Sequence, residues 1–324
     1  MDYLSIINRP IEQEINDFNG FFKSQLKSDV VLMNDTLSFV SESIGKMMRP
    51  TLLLLVAKSI GNVNEKTFAA ATSVEMLHTA SLLHDDVIDE SDKRRGRQSL
   101  NTRFNNNVAV LTGDYMFSMA LNCTARTGDI RVVDAISVMG RDLPNGEVMQ
   151  VELQQNGSYS EENYLKVIYY KTASLFVCCC ACAVYTAGGS DELVEKFSNF
   201  GKYIGLCFQM KDDIFDYYSN DIGKPTGSDM REGKITLPAL YVLRTSSNPL
   251  LTPIREKLSK GIYLDEKEIE SLIEISKEEG GVEYTNQMIN RYREMAIESI
   301  PADITDEYRN ALIAYIDYVI SREK

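Results

Sequence analysis

The chain has 324 residues, with 34 Lys and Arg against 47 Asp and Glu, a net charge of -13, six Cys, two His and no Trp. A hydrophobic share of 44% is enough for a large core and argues against a disordered chain. The acidic surplus argues against a nucleic-acid binder and against a protein held on anionic lipid by charge, but leaves room for a small anionic substrate met by a local group of cations.

The N-terminal MDYLSIINRPIEQEIND has early acids and no apolar h-region, so no signal peptide is expected. Apolar spacing predicts helices over 66–91, 106–126, 130–155, 161–187, 191–219 and 234–245. Pro50 stands beside the apolar run TLLLLVAKSIGN, at a helix start where proline is tolerated. Alternating β-branched runs are almost absent. Residues 172–190 carry no charge, but Thr172, Ser174, Tyr185, Thr186 and Gly188-Gly189 leave only about half of that length strongly apolar. The segment is therefore expected to be a buried core helix, with no membrane span. Four of the cysteines, Cys178, Cys179, Cys180 and Cys182, crowd into CCCAC, a spacing wrong for a zinc ribbon and without a nearby His. With Cys123 and Cys207 they read as small apolar residues in a reducing, cytoplasmic compartment. The stretch SNDIGKPTGSDMREGK, 219–234, is the one long loop, and no Pro/Ser linker divides the chain. The expectation is one all-α domain over residues 1–324, its helices around a common core.

Two short stretches share the form DDxxD. LLHDDVIDE carries Asp85, Asp86 and Asp89; QMKDDIFDY carries Asp212, Asp213 and Asp216. Residues four apart share a helix face, so Asp85 pairs with Asp89, and Asp212 with Asp216. One such cluster alone reads as a solvated acidic face. Two, each inside an apolar helix, need something positive to offset adjacent like charges. Hard oxygen ligands suit Mg²⁺, which keeps waters and shares its coordination with phosphate oxygens. The pattern predicts two helices facing a metal-diphosphate site.

Cations accompany the acids. Lys93, Arg94, Arg95 and Arg97 follow the first cluster; Lys46 and Arg49 precede the first long apolar helix; Lys171 opens KTASLF; Lys224 and Lys234 bracket the long loop. Singly each is a surface charge, but together they form a bed for two diphosphates. His78 lies two turns before Asp85 on the same face, where a core role and a ligand role both fit. His84 is six residues from His78, the wrong spacing for a paired metal site on one face.

These residues resemble the trans-polyprenyl diphosphate synthases. The likeness runs in order from residue 43 to 240: Asp85-Asp86-Val87-Ile88-Asp89 with Arg94-Arg95-Gly96, then Gly113-Asp114-Tyr115, Gly146-Glu147 with Gln150, Lys171-Thr172, Phe208 to Asp216, Gly223-Lys224 and Gly233-Lys234. One departure is Ile44-Gly45-Lys46, where the family has Gly-Gly-Lys.

The resemblance implies a helical bundle of the isoprenoid synthase type around a central cavity, and a transferase that condenses isopentenyl diphosphate onto an allylic prenyl diphosphate. It implies that Lys46, Arg49, His78 and Arg95 bind isopentenyl diphosphate. Asp85, Asp89, Asp212 and Asp216 would hold Mg²⁺, supported by Asp86 and Asp213. Arg94, Lys171, Thr172, Gln209 and Lys234, with Lys224 a weaker candidate, would contact the allylic substrate. Asp85, Asp89, Lys171, Thr172, Gln209 and Asp212 would be the catalytic set. The resemblance also implies a homodimer. Four and five residues before Asp85 stand Ser81 and Ala80; aromatic residues there stop elongation in the family. Small ones imply a medium- or long-chain product of the octaprenyl type used for quinone side chains. Leu77, Val74 and Ser73 continue down that face. The CCCAC segment reads as core packing ahead of tunnel lining. Two other readings stand beside this one. A terpene cyclase would carry a second metal motif with Asn, Ser or Thr and Glu at wider spacing, and a non-catalytic prenyl-binding subunit would have lost an acidic cluster.

Overall fold

The structure is a computed structural model, described over residues 2–43, 45–218 and 226–322. Among these residues the chain is helical almost throughout, as expected. In chain order the helices are α1 (Tyr3–Asn8), α2 (Glu12–Gln25), α3 (Val31–Ser43), α4 (Met48–Ile60), α5 (Glu65–Ile88), α6 (Leu100–Phe104), α7 (Asn106–Arg126), α8 (Ile130–Asn156), α9 (Glu161–Ile168), α10 (Ser174–Thr186) and α11 (Asp191–Phe215). They continue as α12 (Ser228–Arg231), α13 (Leu237–Thr245), α14 (Leu251–Ser259), α15 (Glu266–Glu278), α16 (Gly281–Ser299) and α17 (Asp306–Ser321). A two-residue hairpin, β1 (Lys93–Arg94) against β2 (Arg97–Gln98), is the only sheet among the described residues.

The chain packs as two compact units. The first comprises residues 1–140, 175–198 and 300–315; the second comprises 141–174, 199–299 and 316–324. Helix α5 is the spine of the first. Every residue from Ala69 to His78 is buried, so the helix is enclosed on all sides rather than along one stripe. A capping box starts it. The Asn64 side chain accepts from the Lys66 and Thr67 amides, and the Thr67 hydroxyl accepts from the Asn64 amide. Small residues Ala109, Gly113 and Ala120 are buried on α7, and Ser73 of α5 donates to the Ala120 carbonyl at 2.9 Å.

In the second unit the C-terminal half of α11 is surrounded by α9, α13 and α16. The Tyr217 hydroxyl, fully buried, pairs with Thr236 at 2.9 Å and accepts from the Ala239 amide at 3.1 Å, tying the end of α11 to the start of α13.

Four element boundaries differ from the sequence expectation by three residues or more, each for a local reason; one is that α13 begins at Leu237 rather than 234, with Pro238 at its second position. Helix α5 ends at Ile88 rather than 91, because Glu90 adopts a left-handed φ of 50° and the hairpin begins. Helix α11 stops at Phe215, since Asp216 turns to cap α12. The 161–187 helix is interrupted by a π-helical turn, Tyr169–Ala173. Residues 161–186 are long and apolar enough to cross a membrane, but 78% of their most apolar window is buried, as expected of a core helix. All six cysteines are buried thiols, matching the packing role assigned to them.

Candidate active site

In both DDxxD clusters the middle aspartate is buried and the outer two reach toward solvent. Asp86 is 2% exposed and Asp213 3%, whereas Asp85, Asp212 and Asp216 are half-buried and Asp89 is exposed. Helical geometry dictates this split. Positions one and five share a face, and position two lies about 100° away, against the core. The sequence treated all three as ligands or close support; the fold separates them.

Asp86 is held by Arg94, whose Nε and Nη2 both donate to Oδ1, at 2.8 and 2.5 Å. Arg94 therefore braces the first cluster. Asp213 accepts from the Tyr164 hydroxyl at 2.6 Å and from Gln209 Nε2 at 2.8 Å. Burial, with nearby Asp229 adding to it, pushes its carboxyl up to about 8 against those two hydrogen bonds. Asp229 is itself pushed up to about 6, again mainly by burial and then by Asp216. Asp216 accepts from the Ser228 amide and hydroxyl and from the Asp229 amide, at 2.9, 2.7 and 3.1 Å. Its carboxylate is oriented by the turn that follows the described end of the loop.

The cations after Asp89 lie on the hairpin, not on a continuation of α5. Register pairs Lys93 with Gln98 and Arg94 with Arg97, leaving Arg95-Gly96 as a two-residue turn with φ of 53° and 77°. Asn-Gly is the favoured pair in such a turn. An arginine in the left-handed region is strained, which marks its side chain as the reason for its presence. Arg95 Nη1 donates to the Ser43 carbonyl at 3.0 Å. Its guanidinium lies over Gly45, where a Cβ would stand 2.6 Å from Nη1. The glycine retained from the family pattern is thus the one that makes room for Arg95. The departure at position 44 lies outside the described residues, as does Lys224. Lys46 is exposed beside this group.

His78 is 7% exposed, and burial followed by Arg49, Arg95 and Arg94 lowers its pKa well below the usual value. It is a neutral imidazole at physiological pH. Its Nδ1 is buried with no hydrogen-bond partner among the described residues. His84 faces α7. Its Nε2 donates to the Val110 carbonyl at 3.1 Å, which joins the end of α5 to α7.

In the second unit the π-helical turn presents Lys171 and Thr172. Such bulges rotate side chains out of helical register and are common at functional sites. Lys171 Nζ pairs with Glu147 Oε2 at 2.8 Å and donates to Gln150 Oε1 at 3.0 Å. Gly146 allows the approach, since a Cβ there would lie 2.5 Å from Lys171 Cγ and 2.9 Å from its amide nitrogen. The Thr172 hydroxyl donates to Gln209 Oε1 at 2.7 Å. A cavity of about 190 Å³ is lined by Lys171, Gln209, Asp213, Asp229 and Lys234, among others. The fold therefore brings together four of the residues expected around the second cluster.

A family model described as polyprenyl synthetase matches residues 30–275. The chain belongs to the polyprenyl synthetase family. It is accordingly a trans-prenyltransferase. Octaprenyl diphosphate synthase from Haemophilus influenzae is 34% identical over 317 residues, covering 97% of this chain and 96% of the relative. Among solved structures, geranylgeranyl pyrophosphate synthase from Bacteroides thetaiotaomicron is 39% identical with a TM-score of 0.85, covering 99% of this chain and all of the other. Polyprenyl synthase from Caulobacter crescentus, complexed with calcium and isoprenyl diphosphate, is 28% identical with a TM-score of 0.88, covering 99% and 98%.

Three residues of the synthase escaped the sequence reading. Arg322, past the end of α17, pairs with Asp212 at 2.8 Å and stacks on Phe208 with its guanidinium carbon 3.6 Å from the ring centre. Asp229 and Tyr164 flank Asp213. Tyr164 and Arg322 are far from the clusters in sequence, and Asp229 lies in the 219–234 loop; none carries a motif of its own. The product-length candidates sit as expected on α5. Ala80 is fully buried, and the half-buried Ser81 donates its hydroxyl back to the His78 carbonyl at 2.9 Å.

Proposed function

We propose that this single prenyl synthase domain, residues 1–324, condenses isopentenyl diphosphate head-to-tail onto an allylic prenyl diphosphate, using Mg²⁺, to make a medium- or long-chain all-trans product. The observation that carries the reading is the shared design of the two clusters, each with a buried, braced central aspartate and outer carboxylates turned outward. Among the described residues no three or more His, Cys, Asp or Glu side chains gather as a metal site. Oxygens from water and diphosphate must complete the coordination, which is the habit of Mg²⁺ rather than of zinc. Asp85, Asp89, Asp212 and Asp216 are the protein ligands. Bound Mg²⁺ would neutralise the diphosphate and favour its departure.

Lys171 and Lys234 offset the remaining negative charge on the leaving diphosphate. Breaking its C1–O bond leaves an allylic cation. The Thr172 proton is committed to Gln209, so the lone pairs of its hydroxyl oxygen are free to face that cation. The isopentenyl double bond attacks C1, and transfer of a proton from C2 to the departed diphosphate forms the new double bond. Lys46, Arg49, Arg95 and neutral His78, through a ring N–H, hold the isopentenyl diphosphate.

Ala80 and Ser81 favour a product beyond the geranylgeranyl length, such as an octaprenyl chain for a quinone. The relatives' names span both lengths. Leu111 and Leu121, 60% and 62% exposed on α7, favour burial against a second copy of the chain. A cytoplasmic enzyme fits the thiol-rich core. Incubation of the purified protein with geranyl, farnesyl or geranylgeranyl diphosphate, isopentenyl diphosphate and Mg²⁺, read by mass spectrometry, tests the reading. Metal-dependent elongation supports it; no turnover with any primer overturns it.

A further inference from the structure

Asp212 is read above as a metal ligand, yet it already faces a cation of its own chain. Arg322 Nη2 lies 2.8 Å from Asp212 Oδ1 and donates to the Phe208 carbonyl at 2.7 Å. The guanidinium carbon stands 3.6 Å from the centre of the Phe208 ring, with the Phe215 ring 5.9 Å away. Phe208 and Asp212 are one turn apart on the same face of α11, so one planar group spans both. The Arg322 side chain is only 13% exposed, unlike the long, solvated partner of an ordinary surface pair. Its backbone is placed without help from Asp212. The Arg322 amide donates to the Tyr318 carbonyl at 3.1 Å and prolongs the last turn of α17. That turn is docked on α16 by Arg293, whose Nε and Nη2 donate to the two oxygens of Asp317 at 2.6 and 3.1 Å. The guanidinium is therefore held by Phe208 and by α17 whatever Asp212 binds. A carboxylate can serve a cation on each of its oxygens, and this pair is made through Oδ1. Both outer carboxylates of the second cluster thus have a brace: Asp216 has the Ser228 and Asp229 amides, and Asp212 has Arg322.

We propose that Arg322 is a positioning residue for the metal of the second cluster, fixing the Asp212 carboxylate in the orientation that meets Mg²⁺. The proposal rests on the reading of Asp212 as a metal ligand. Groups that hydrogen-bond a ligating carboxylate raise metal affinity by fixing its direction. Charge alone predicts the reverse: a fixed cation beside a Mg²⁺ site repels the metal, and its removal ought to tighten binding. A plain latch between α17 and α11 predicts a third outcome, lost stability with metal affinity unchanged.

The test is Mn²⁺ binding to the whole chain in the presence of inorganic diphosphate, with unbound Mn²⁺ counted by its electron paramagnetic resonance signal. Arg322→Gln is expected to weaken Mn²⁺ binding about tenfold. The Mg²⁺ concentration for half-maximal turnover should rise by a similar factor, while the isopentenyl KM at saturating Mg²⁺ changes less than about twofold. Arg322→Lys keeps the charge but loses the planar face on Phe208, and should recover less than half of the lost affinity. Phe208→Leu removes the ring and no charge, and should weaken Mn²⁺ binding about threefold. An unchanged or tighter Mn²⁺ affinity in Arg322→Gln overturns the proposal, as does full recovery by Arg322→Lys. If Arg322→Gln does not fold, Phe208→Leu decides by the same Mn²⁺ readout. If Asp212→Asn leaves Mn²⁺ binding unchanged, the underlying assignment of Asp212 to metal fails instead.

Discussion

Arg94 places both Nε and Nη2 on a single oxygen of Asp86, at 2.8 and 2.5 Å. This pair links the hairpin to the last turn of α5 and gives the central aspartate of the first cluster a structural task. Asp86→Asn is expected to lower stability by about 1–3 kcal/mol, because a buried charge-assisted pair is broken. Asp85→Ala is expected to cut turnover about a hundredfold or more with little change in stability. Urea melts and turnover assays on the two variants separate the roles; equal stability losses would refute the division.

Gly146 faces Lys171 across a gap too small for a methyl group. Gly146→Ala should therefore push the π-helical turn away, displacing the ammonium that Glu147 and Gln150 hold. Overpacking of this kind costs about 1–3 kcal/mol. The allylic-primer KM should rise with the loss of stability. A wild-type melting temperature and primer KM would show that the turn has more room than the structure allows.

Glu75, buried on α5, governs a pH effect on stability. Burial lifts its carboxyl from 4.5 to about 6, against the opposing pull of Arg49 and Arg95. Between those values the folded state binds a proton that the unfolded state lacks. Its contribution to stability is therefore complete below pH 4.5 and lost as pH rises through 6, about 2 kcal/mol in all. Glu75→Gln should be more stable than wild type by about that amount at pH 7, with the gap closing toward pH 4.5. Paired urea titrations at several pH values measure the gap; a constant difference would contradict the shift.

Ala80 lies on α5 a turn and a half before Asp85 and has no exposed surface. Ala80→Phe fills the path below the metal ligands, and the product distribution should shift to shorter chains. Mass spectrometry of the products of wild type and variant decides, and an unchanged distribution would remove Ala80 from the chain-length machinery.

Leu121→Asp should convert a dimer to a monomer if the exposed face of α7 meets a second copy. Light scattering after size exclusion reads the mass, and an unchanged mass would place the contact elsewhere.

The chemistry was legible in the sequence because it depends on local spacing. Four-residue repeats put Asp85 beside Asp89 and Asp212 beside Asp216 whatever surrounds them. The apolar run 174–184 required a buried helix. The cations were legible as a set for the same reason, since each lies within a few residues of a motif. What each one touches was not. Arg94 turned to Asp86, Arg95 to Gly45 and Lys171 to Glu147 because a type I′ turn, a close helix approach and a π bulge set their directions. Those partners lie from 8 residues away, for Arg94 and Asp86, to 50, for Arg95 and Gly45. Tyr164, Asp229 and Arg322 were invisible for a related reason: the partners that fix their places are brought to them by the fold, and a lone acid, phenol or arginine carries no periodic signal. Sequence alone determined the spacing of the paired carboxylates and the helical fold, because both follow from helical periodicity. Only tertiary structure decided which carboxylates reach toward solvent and which are buried and braced, because desolvation depends on neighbours that the local sequence does not name.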